Sequence, residues 1–451
     1  MATAAAASER RLEEVPWRAL AGLAPALEPA LSAVLAGAAA ERVVDRFLRA
    51  HRGLDADGRR AAKEAIYGVA VWRRRLAYHA SFDSAPLRGA TLRTNGGGDP
   101  FALSVAAERR SRSAAPSPLV LLAALLRDLA GVPAAEALLA LPAGTLPPPR
   151  PPPPDLATRY SLPDWLAATL VGEVGPTDAP ALADALNLPG PICFRPNALR
   201  TSPAALAGRL AADGVATHPG ALLPSALLAD APLVNVHGLA AWREGLLEVQ
   251  DEASQLAGAL VGARPGETVL DLCAGAGGKA LQLAAAVGGG GAVHACDVDA
   301  ARLDRLATRA GRAGASDIVR VQGAAPPAQL RVDRAIVDAP CSELGALRRG
   351  PDLRFRLDPS GFAALPPLQL ALLSRAAEHV RAGGRLVYVT CTFRREEDED
   401  VALGFERDHP LHERIVPDAP GAALTGEGFL RTWPHRDGCD GFFAAVWQRR
   451  A

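Results

Sequence analysis

A chain of 451 residues, 49% hydrophobic and 22% charged, is long enough for roughly two to four domains and too apolar to be disordered throughout. Its 49 basic and 49 acidic side chains cancel, so any nucleic-acid partner must be met by local patches rather than by net charge. Six cysteines without a CxxC pair argue against a disulfide framework or a zinc site and suit reduced thiols in a cytoplasm. No run of about 18 apolar residues is free of both charge and proline, and the opening residues fit no signal or transit peptide, so neither a membrane nor a metal partner is expected.

Residues 1–145 read as a helical domain, because Ala and Leu recur at three- and four-residue spacing with charges between them. The segment from Glu41 to Ala80 is basic, with Arg59, Arg60, Lys63, Arg73, Arg74 and Arg75; residues 1–145 hold 19 basic against 14 acidic side chains. Such a face is either simply solvated or a surface for phosphates. Pro147 to Pro149 and Pro151 to Pro154 cannot lie inside a helix or a central strand, so 146–155 reads as a semi-extended linker. Residues 156–245 read as a small α+β domain. RYSLPDWLAATLVGEVG is a turn and an amphipathic helix, PICFRPNALR a strand, and SPAALAGRLAADGV a helix capped by Ser202.

From residue 246 to 451 the pattern becomes regular. ETVLDLCA, GAVHACDVD, IVRVQ, RAIVDAP and GRLVYVTCT are strand-like runs. Between them lie the helical stretches KALQLAAAV, ARLDRLATRAGRAG and one from about Gly361 to Ala382. Alternation of this kind predicts an α/β fold, a parallel sheet wrapped by helices on both faces. Two last β-rich runs, GFLRT and GFFAAVWQ, predict an antiparallel hairpin closing it.

In such a sheet ligands bind beyond the carboxyl ends of the strands. The first strand ends at Asp271 and runs into Cys273, Ala274, Gly275, Ala276, Gly277, Gly278 and Lys279, where glycines admit a ligand to the backbone and a helix N-terminus follows. The second strand ends at Asp297, a carboxylate able to accept from ribose hydroxyls. Together they predict a nucleoside cofactor, without separating a dinucleotide from S-adenosylmethionine. Lys279 is one of only two lysines in an arginine-rich chain, the other being Lys63.

The fourth strand ends at Asp338-Ala339-Pro340-Cys341-Ser342 and the fifth at Thr390-Cys391-Thr392, so two thiols open on one face beside the glycine loop. A buried cysteine is usually an inert small hydrophobe, but a pair at this address suits chemistry. Carbon 5 of cytosine is a poor nucleophile. A thiolate adding to carbon 6 activates it toward an electrophilic methyl group, an acid or hydrogen bond near N3 polarises the ring, and the thiolate is later expelled. A dehydrogenase needs no such pair, and two sulfurs without further ligands close no zinc site.

At these residues the chain resembles the bacterial branch of the NOL1/NOP2/Sun RNA 5-methylcytosine methyltransferases. The likeness is carried by LLEVQDEASQLAGALVGARPGETVLDLCAGAGGKA, ACDVDAARL, VDAPCS, RRGPDLRF, GGRLVYVTCT and CDGFFAAVWQ, with FRPNALR and RYSLPDWL ahead of the core. Glu41 to Ala80 resembles a NusB-like RNA-binding domain. The resemblance implies a Rossmann-like class I methyltransferase core, S-adenosyl-L-methionine as cofactor and RNA, most plausibly small-subunit ribosomal RNA, as partner. It implies Cys391 as the nucleophile, Cys341 as the cysteine of adduct breakdown, and Asp338 as the carboxylate at the cytosine ring and near the cofactor. Lys279 would face the reaction centre, Cys273 to Lys279 the methionine moiety, and Asp297 the ribose.

The chain departs from the family pattern in four places. Gly275-Ala276 and Ala280 replace Ala-Pro and Thr in the loop, Ala324 replaces an Asp after Gly323, Glu343 replaces a small residue after Ser342, and Glu396-Glu397-Asp398 stands for Glu-Glu-Asn. Ala324 and Glu343 keep open a catalytically degenerate RNA-binding or ribosome-assembly paralogue, and transfer RNA remains an alternative substrate. Arg348, Arg349, Arg354 and Arg356 are expected either at the phosphate backbone or in ordinary salt bridges.

Overall fold

The computed structural model describes residues 7–81, 116–231 and 234–450. The rest of the expected helical stretch, 1–6 and 82–115, lies outside the described residues. The chain forms two compact units, one of Met1–Leu188 with Gly350–Leu357, the other of Pro189–Arg349 with Asp358–Ala451. The units therefore divide after Leu188, and the proline-rich stretch 146–155 lies inside the first.

The first unit is helical. α1 (Ala7–Glu13), α2 (Ala24–Leu35), α3 (Ala40–Ala50), α4 (Ala56–Ala80), α5 (Pro118–Ala124) and α6 (Asp164–Ala185) are its main elements. Leu27, Leu31, Phe47, Ile66, Trp72, Leu122 and Leu126 share one core. The basic segment is two helices, and Asp55 caps α4 by accepting from the Gly58 N–H. Much of its charge works internally. Arg75 is 1% exposed and donates to Glu9 and the Arg159 carbonyl. Arg74 donates to the Leu162 carbonyl, and Arg73 lies 3.6 Å over the Phe355 ring. Arg354, expected at phosphates, is 0% exposed and donates to Asn187 Oδ1 and the Leu186 and Pro351 carbonyls, while Arg356 pairs with Asp352.

The second unit holds two sheets. The small one runs β2 (Thr217–Pro219), β3 (Leu227–Ala229), β1 (Cys193–Pro196), β4 (Leu247–Val249), all antiparallel. α7 (Pro203–Ala212), capped by the Ser202 hydroxyl as expected, packs Leu206 and Leu210 on Phe194 and Leu247. The large sheet follows the order β10 (His412–Arg414), β12 (Phe443–Arg449), β9 (Val380–Thr390), β8 (Val332–Asp338), β5 (Thr268–Asp271), β6 (Ala292–Cys296), β7 (Val319–Gly323), with β11 (Leu430–Arg431) paired to β12. The five central strands from β9 to β7 are parallel and each matches an expected run. α8 (Glu252–Ala259), α9 (Gly278–Val287), α10 (Ala300–Ala313), α11 (Leu365–His379) and α12 (Glu399–Asp408) accompany the sheet. This is a Rossmann-like core.

Two boundaries differ from the sequence reading. The helix expected to reach Ala382 ends at His379, because Val380 is already extended and pairs with Val332. The closing hairpin is only part of the edge: β12 inserts antiparallel between β9 and β10, while β11 contributes two residues.

Arg431 on β11 ties this edge to the loop after β9. It donates to Asp398 and to both oxygens of Glu399, and Asp398 also accepts from the Thr390 hydroxyl. Removing one partner of a buried ionic set costs about 3–5 kcal/mol because the remaining charge stays buried. Arg431→Leu is expected to lower the urea midpoint of the core accordingly; an unchanged midpoint would show that the set contributes nothing.

Candidate active site

The site lies at the carboxyl ends of β5, β6, β8 and β9, within the second unit. β8 and β9 pair in a register that sets Asp338 opposite Val389, and the Ala339 N–H donates to the Val389 carbonyl. Pro340 then turns the chain out of the sheet, and three residues beyond Asp338 the Cys341 Sγ stands 3.4 Å from the Cys391 Sγ. The hydrogen bond with Cys391, together with burial, holds the Cys341 thiol well above its ordinary pKa. Both effects favour the protonated form of the Cys341 thiol beside the second sulfur.

Several buried groups lock these loops. Glu397 accepts from the Ser342 N–H at 2.9 Å and from Gln369 Nε2 at 3.0 Å. The Ser342 and Thr392 hydroxyls are 2.8 Å apart, and the Gly345 N–H donates to the Cys391 carbonyl at 3.0 Å. Gly345 has no room for a side chain, since a Cβ would meet the Gly441 carbonyl oxygen at 2.0 Å. Arg348 and Arg349 both bond to Asp440, and Arg349 also to Asp251. Of the two expectations for them, salt bridges rather than phosphates are met: the acids that neutralise them are distant in sequence, and Arg348 is buried while Arg349 stays partly exposed. Glu343, exposed, has φ +58°, a left-handed conformation that disfavours L side chains. A small residue suits this position for that reason.

Lys279 begins the first turn of α9 and is only 5% exposed. Its Nζ donates to Asp338 Oδ2 at 2.7 Å and to Ser254 Oγ at 3.1 Å, and it lies 5.2 Å from the Phe442 ring centroid. The ammonium thus serves the carboxylate; its contacts are not with the thiols.

The glycine loop is fastened at several points. The Ala274 N–H donates to the Cys296 carbonyl, and the Ala276 carbonyl accepts from Arg309. Gly277 has φ +91°, and a Cβ there would sit 2.1 Å from Leu306 Cδ1, so only glycine fits. Gly278 opens α9. Asp297 Oδ2 accepts from the Gly275 N–H at 2.8 Å, which fastens the end of β6 to the loop. Cys273 is partly exposed, and burial and then Asp271 raise its thiol pKa. Ala324, exposed at the end of β7, offers a methyl group where the family pattern has a carboxylate.

Asp271 was read from sequence only as a strand end. It is 1% exposed, and neither carboxylate oxygen has a well-formed hydrogen bond. Burial, and after it the charge of Asp338, push it up to about 7, against relief from Lys279 and the Cys273 N–H. A buried, under-satisfied carboxyl beside the loop, the Asp297 carboxylate at the end of β6 and a glycine-rich turn fit a nucleoside cofactor with a cationic portion. Arg195, Asn197, Gln250 and Ser254 have no role assigned from the sequence, and Glu397 stands there only as part of a departure from the family pattern. The first four lie in the quoted stretches FRPNALR and VQDEAS, so the signal was present without an assigned role.

Among the described residues no group of three or more His, Cys, Asp or Glu is placed to hold a metal ion, and no helix is long and apolar enough to cross a membrane.

Residues 259–448 match the family described as 16S rRNA methyltransferase RsmB/F, and residues 162–237 match the RsmF/B-like ferredoxin-like domain. A probable ribosomal RNA small subunit methyltransferase B of Synechocystis sp. is 36% identical over 301 residues, 64% of this chain and 67% of that protein. A ribosomal RNA small subunit methyltransferase B of Thermus thermophilus is 35% identical over 294 residues, 64% of this chain and 66% of that protein. A solved methyltransferase homologue from Pyrococcus horikoshii is 26% identical with a TM-score of 0.55, covering 65% of this chain and 98% of its own.

The Asp271 carboxyl makes stability depend on pH. Its folded pKa lies above the unfolded value, so its contribution is full below about pH 4 and is lost as pH rises through about 7. Asp271→Asn is therefore expected to gain melting temperature relative to the wild type from pH 4 to 7 and to keep a constant difference above. A difference that does not change with pH would contradict the buried carboxyl.

Proposed function

Because this chain belongs to the RsmB/F family of 16S rRNA methyltransferases, we propose that it methylates carbon 5 of a cytidine in small-subunit ribosomal RNA. S-adenosylmethionine is the cofactor, and when bound it supplies an electrophilic methyl group. Asp271, Asp297 and the loop from Cys273 to Lys279 would hold it. The reading is carried by one observation, the 3.4 Å separation of the Cys341 and Cys391 sulfurs beside the Lys279–Asp338 pair.

Cys391, as thiolate, adds to carbon 6 of the cytosine, and the electron pair of the ring double bond moves toward carbon 5. Asp338 is held by Lys279 through Oδ2, which leaves Oδ1 for the ring, where it brings a proton to N3 as negative charge develops there. A fixed ammonium–carboxylate pair presents that oxygen without reorganisation, which is where such sites gain rate. Once carbon 5 has been alkylated, its proton leaves. The C5–H pair then restores the double bond, and the C6–S bond breaks back to sulfur. Cys341, as a thiol next to that sulfur, gives its proton to Cys391 as the C6–S bond breaks and is reprotonated from water, which takes the carbon 5 proton.

The helical unit and the small sheet would hold the RNA. The arginines of the catalytic loops are occupied internally, so phosphate contacts fall to exposed groups such as Arg42, Arg46 and Arg59. A degenerate paralogue is disfavoured. Despite the strained Glu343, the Ser342 N–H and Gly345 N–H bonds that position both cysteines are intact.

Nucleoside mass spectrometry on unmodified small-subunit ribosomal RNA tests the proposal. Wild-type protein with S-adenosylmethionine is expected to produce 5-methylcytidine, and Cys391→Ala to produce none. Cys341→Ala is expected to accumulate a protein–RNA species stable to denaturing detergent. Absence of 5-methylcytidine with both ribosomal and transfer RNA would overturn the reading.

A further inference from the structure

Lys279 sits on an α-helix whose first turn has no side-chain cap, yet its long, flexible side chain is held in one place. The groups that hold it come from outside the glycine loop. Gln250 Nε2 donates to Ser254 Oγ at 3.1 Å, the same oxygen that accepts from Lys279 Nζ. Arg195, buried on β1 of the small sheet, donates to Gln250 Oε1 and also to the carbonyl of Gly278, the residue before Lys279. The amide orientation follows from its partners: turned over, it would set an NH2 against the guanidinium and leave the Ser254 oxygen one donor short. Two N–H bonds converging on one hydroxyl oxygen fix its lone pairs, so Lys279 can meet Ser254 and Asp338 together in only a narrow range of rotamers.

We infer that Arg195, Gln250 and Ser254 are positioning residues which, acting through Lys279, set the orientation of the Asp338 carboxylate in the methyl-transfer reaction. The inference rests on the proposed role of Asp338. Gln250 and Ser254 lie between the two matched segments, 162–237 and 259–448, so neither match covers them. The chain gives the small sheet a structural duty toward the chemistry in addition to any contact with RNA: Arg195 links its central strand to the first turn of α9. Asn197, two residues on, reinforces the same junction by donating to the Gly245 and Ala313 carbonyls at 2.8 Å each.

The presence of only two lysines, Lys63 and Lys279, makes a direct test practicable. Lysine labelled with ¹³C at Cε gives two side-chain signals in the full-length protein, and Lys63→Arg assigns them. In Ser254→Ala the Lys279 signal is expected to shift while that of Lys63 stays. The rate of 5-methylcytidine formation at saturation is expected to fall about tenfold, with the cofactor Kd and the KM for RNA within about twofold of the wild type. Ser254→Thr, which keeps the hydroxyl, is expected to restore both the signal and the rate. If Ser254→Ala does not fold, Gln250→Met removes the second donor and carries the same test. An unmoved Lys279 signal with an unchanged rate would overturn the inference. If the wild type itself forms no 5-methylcytidine, the functional reading has failed, and the lysine signal alone decides the positioning: a shift upholds it and no shift overturns it.

Discussion

Parallel hydrogen bonding between β8 and β9, in the register that sets Asp338 opposite Val389, fixes where two loops leave the sheet and so where two thiols meet. Side chains alternate along a strand, so a slip of one residue would turn Asp338 to the other face and draw Cys341 away from Cys391. The register is secured by burial on both faces. Ala335, Ile336, Val337, Val387, Tyr388 and Val389 are all closed off from solvent. Everything chemical in the site is then a matter of short loops of defined length beyond that point.

Those loops are held by buried polar groups rather than by apolar packing. Glu397 accepts from a backbone N–H of the Cys341 loop, Asp398 and Glu399 share Arg431, and Asp440 with Asp251 takes Arg348 and Arg349. Such sets contribute little net stability, because desolvation offsets most of the attraction, but they define geometry sharply since any other arrangement leaves a charge unpaired. Asp271 stands apart: neither of its carboxylate oxygens has a well-formed hydrogen bond, and burial followed by the charge of Asp338 raises its pKa.

Much of the core was legible in the sequence. Buried parallel strands are short apolar runs, and five of them fall where the runs ETVLDLCA to GRLVYVTCT put them. The Ser202 cap was legible because a hydroxyl before a helix has a local reason to be there. The meeting of Cys341 with Cys391 was legible because strand ends in this topology share one face. The arginines were not: a guanidinium at phosphate and one buried against Asp440 look alike in a chain rich in arginine, and the partner of Arg348 is Asp440, far along the sequence. The roles of Asp271 and Glu397 carry no local sign for the same reason, since their burial depends on strands and helices remote in sequence. The end of the helix at His379 was misplaced by three residues because pairing of Val380 with Val332 is a tertiary preference over local helical propensity.

The central claim is that two adjacent strand ends present two cysteines to one base with unequal roles. Its most direct measurement is peptide mapping of the adduct trapped on small-subunit ribosomal RNA carrying 5-fluorocytidine, whose carbon 5 has no proton to lose. With S-adenosylmethionine present, the account requires the RNA to be attached to the peptide containing Cys391, with Cys341 recovered as free thiol. Attachment at Cys341, or methyl transfer to the analogue with no cysteine attached at any stage, would contradict it.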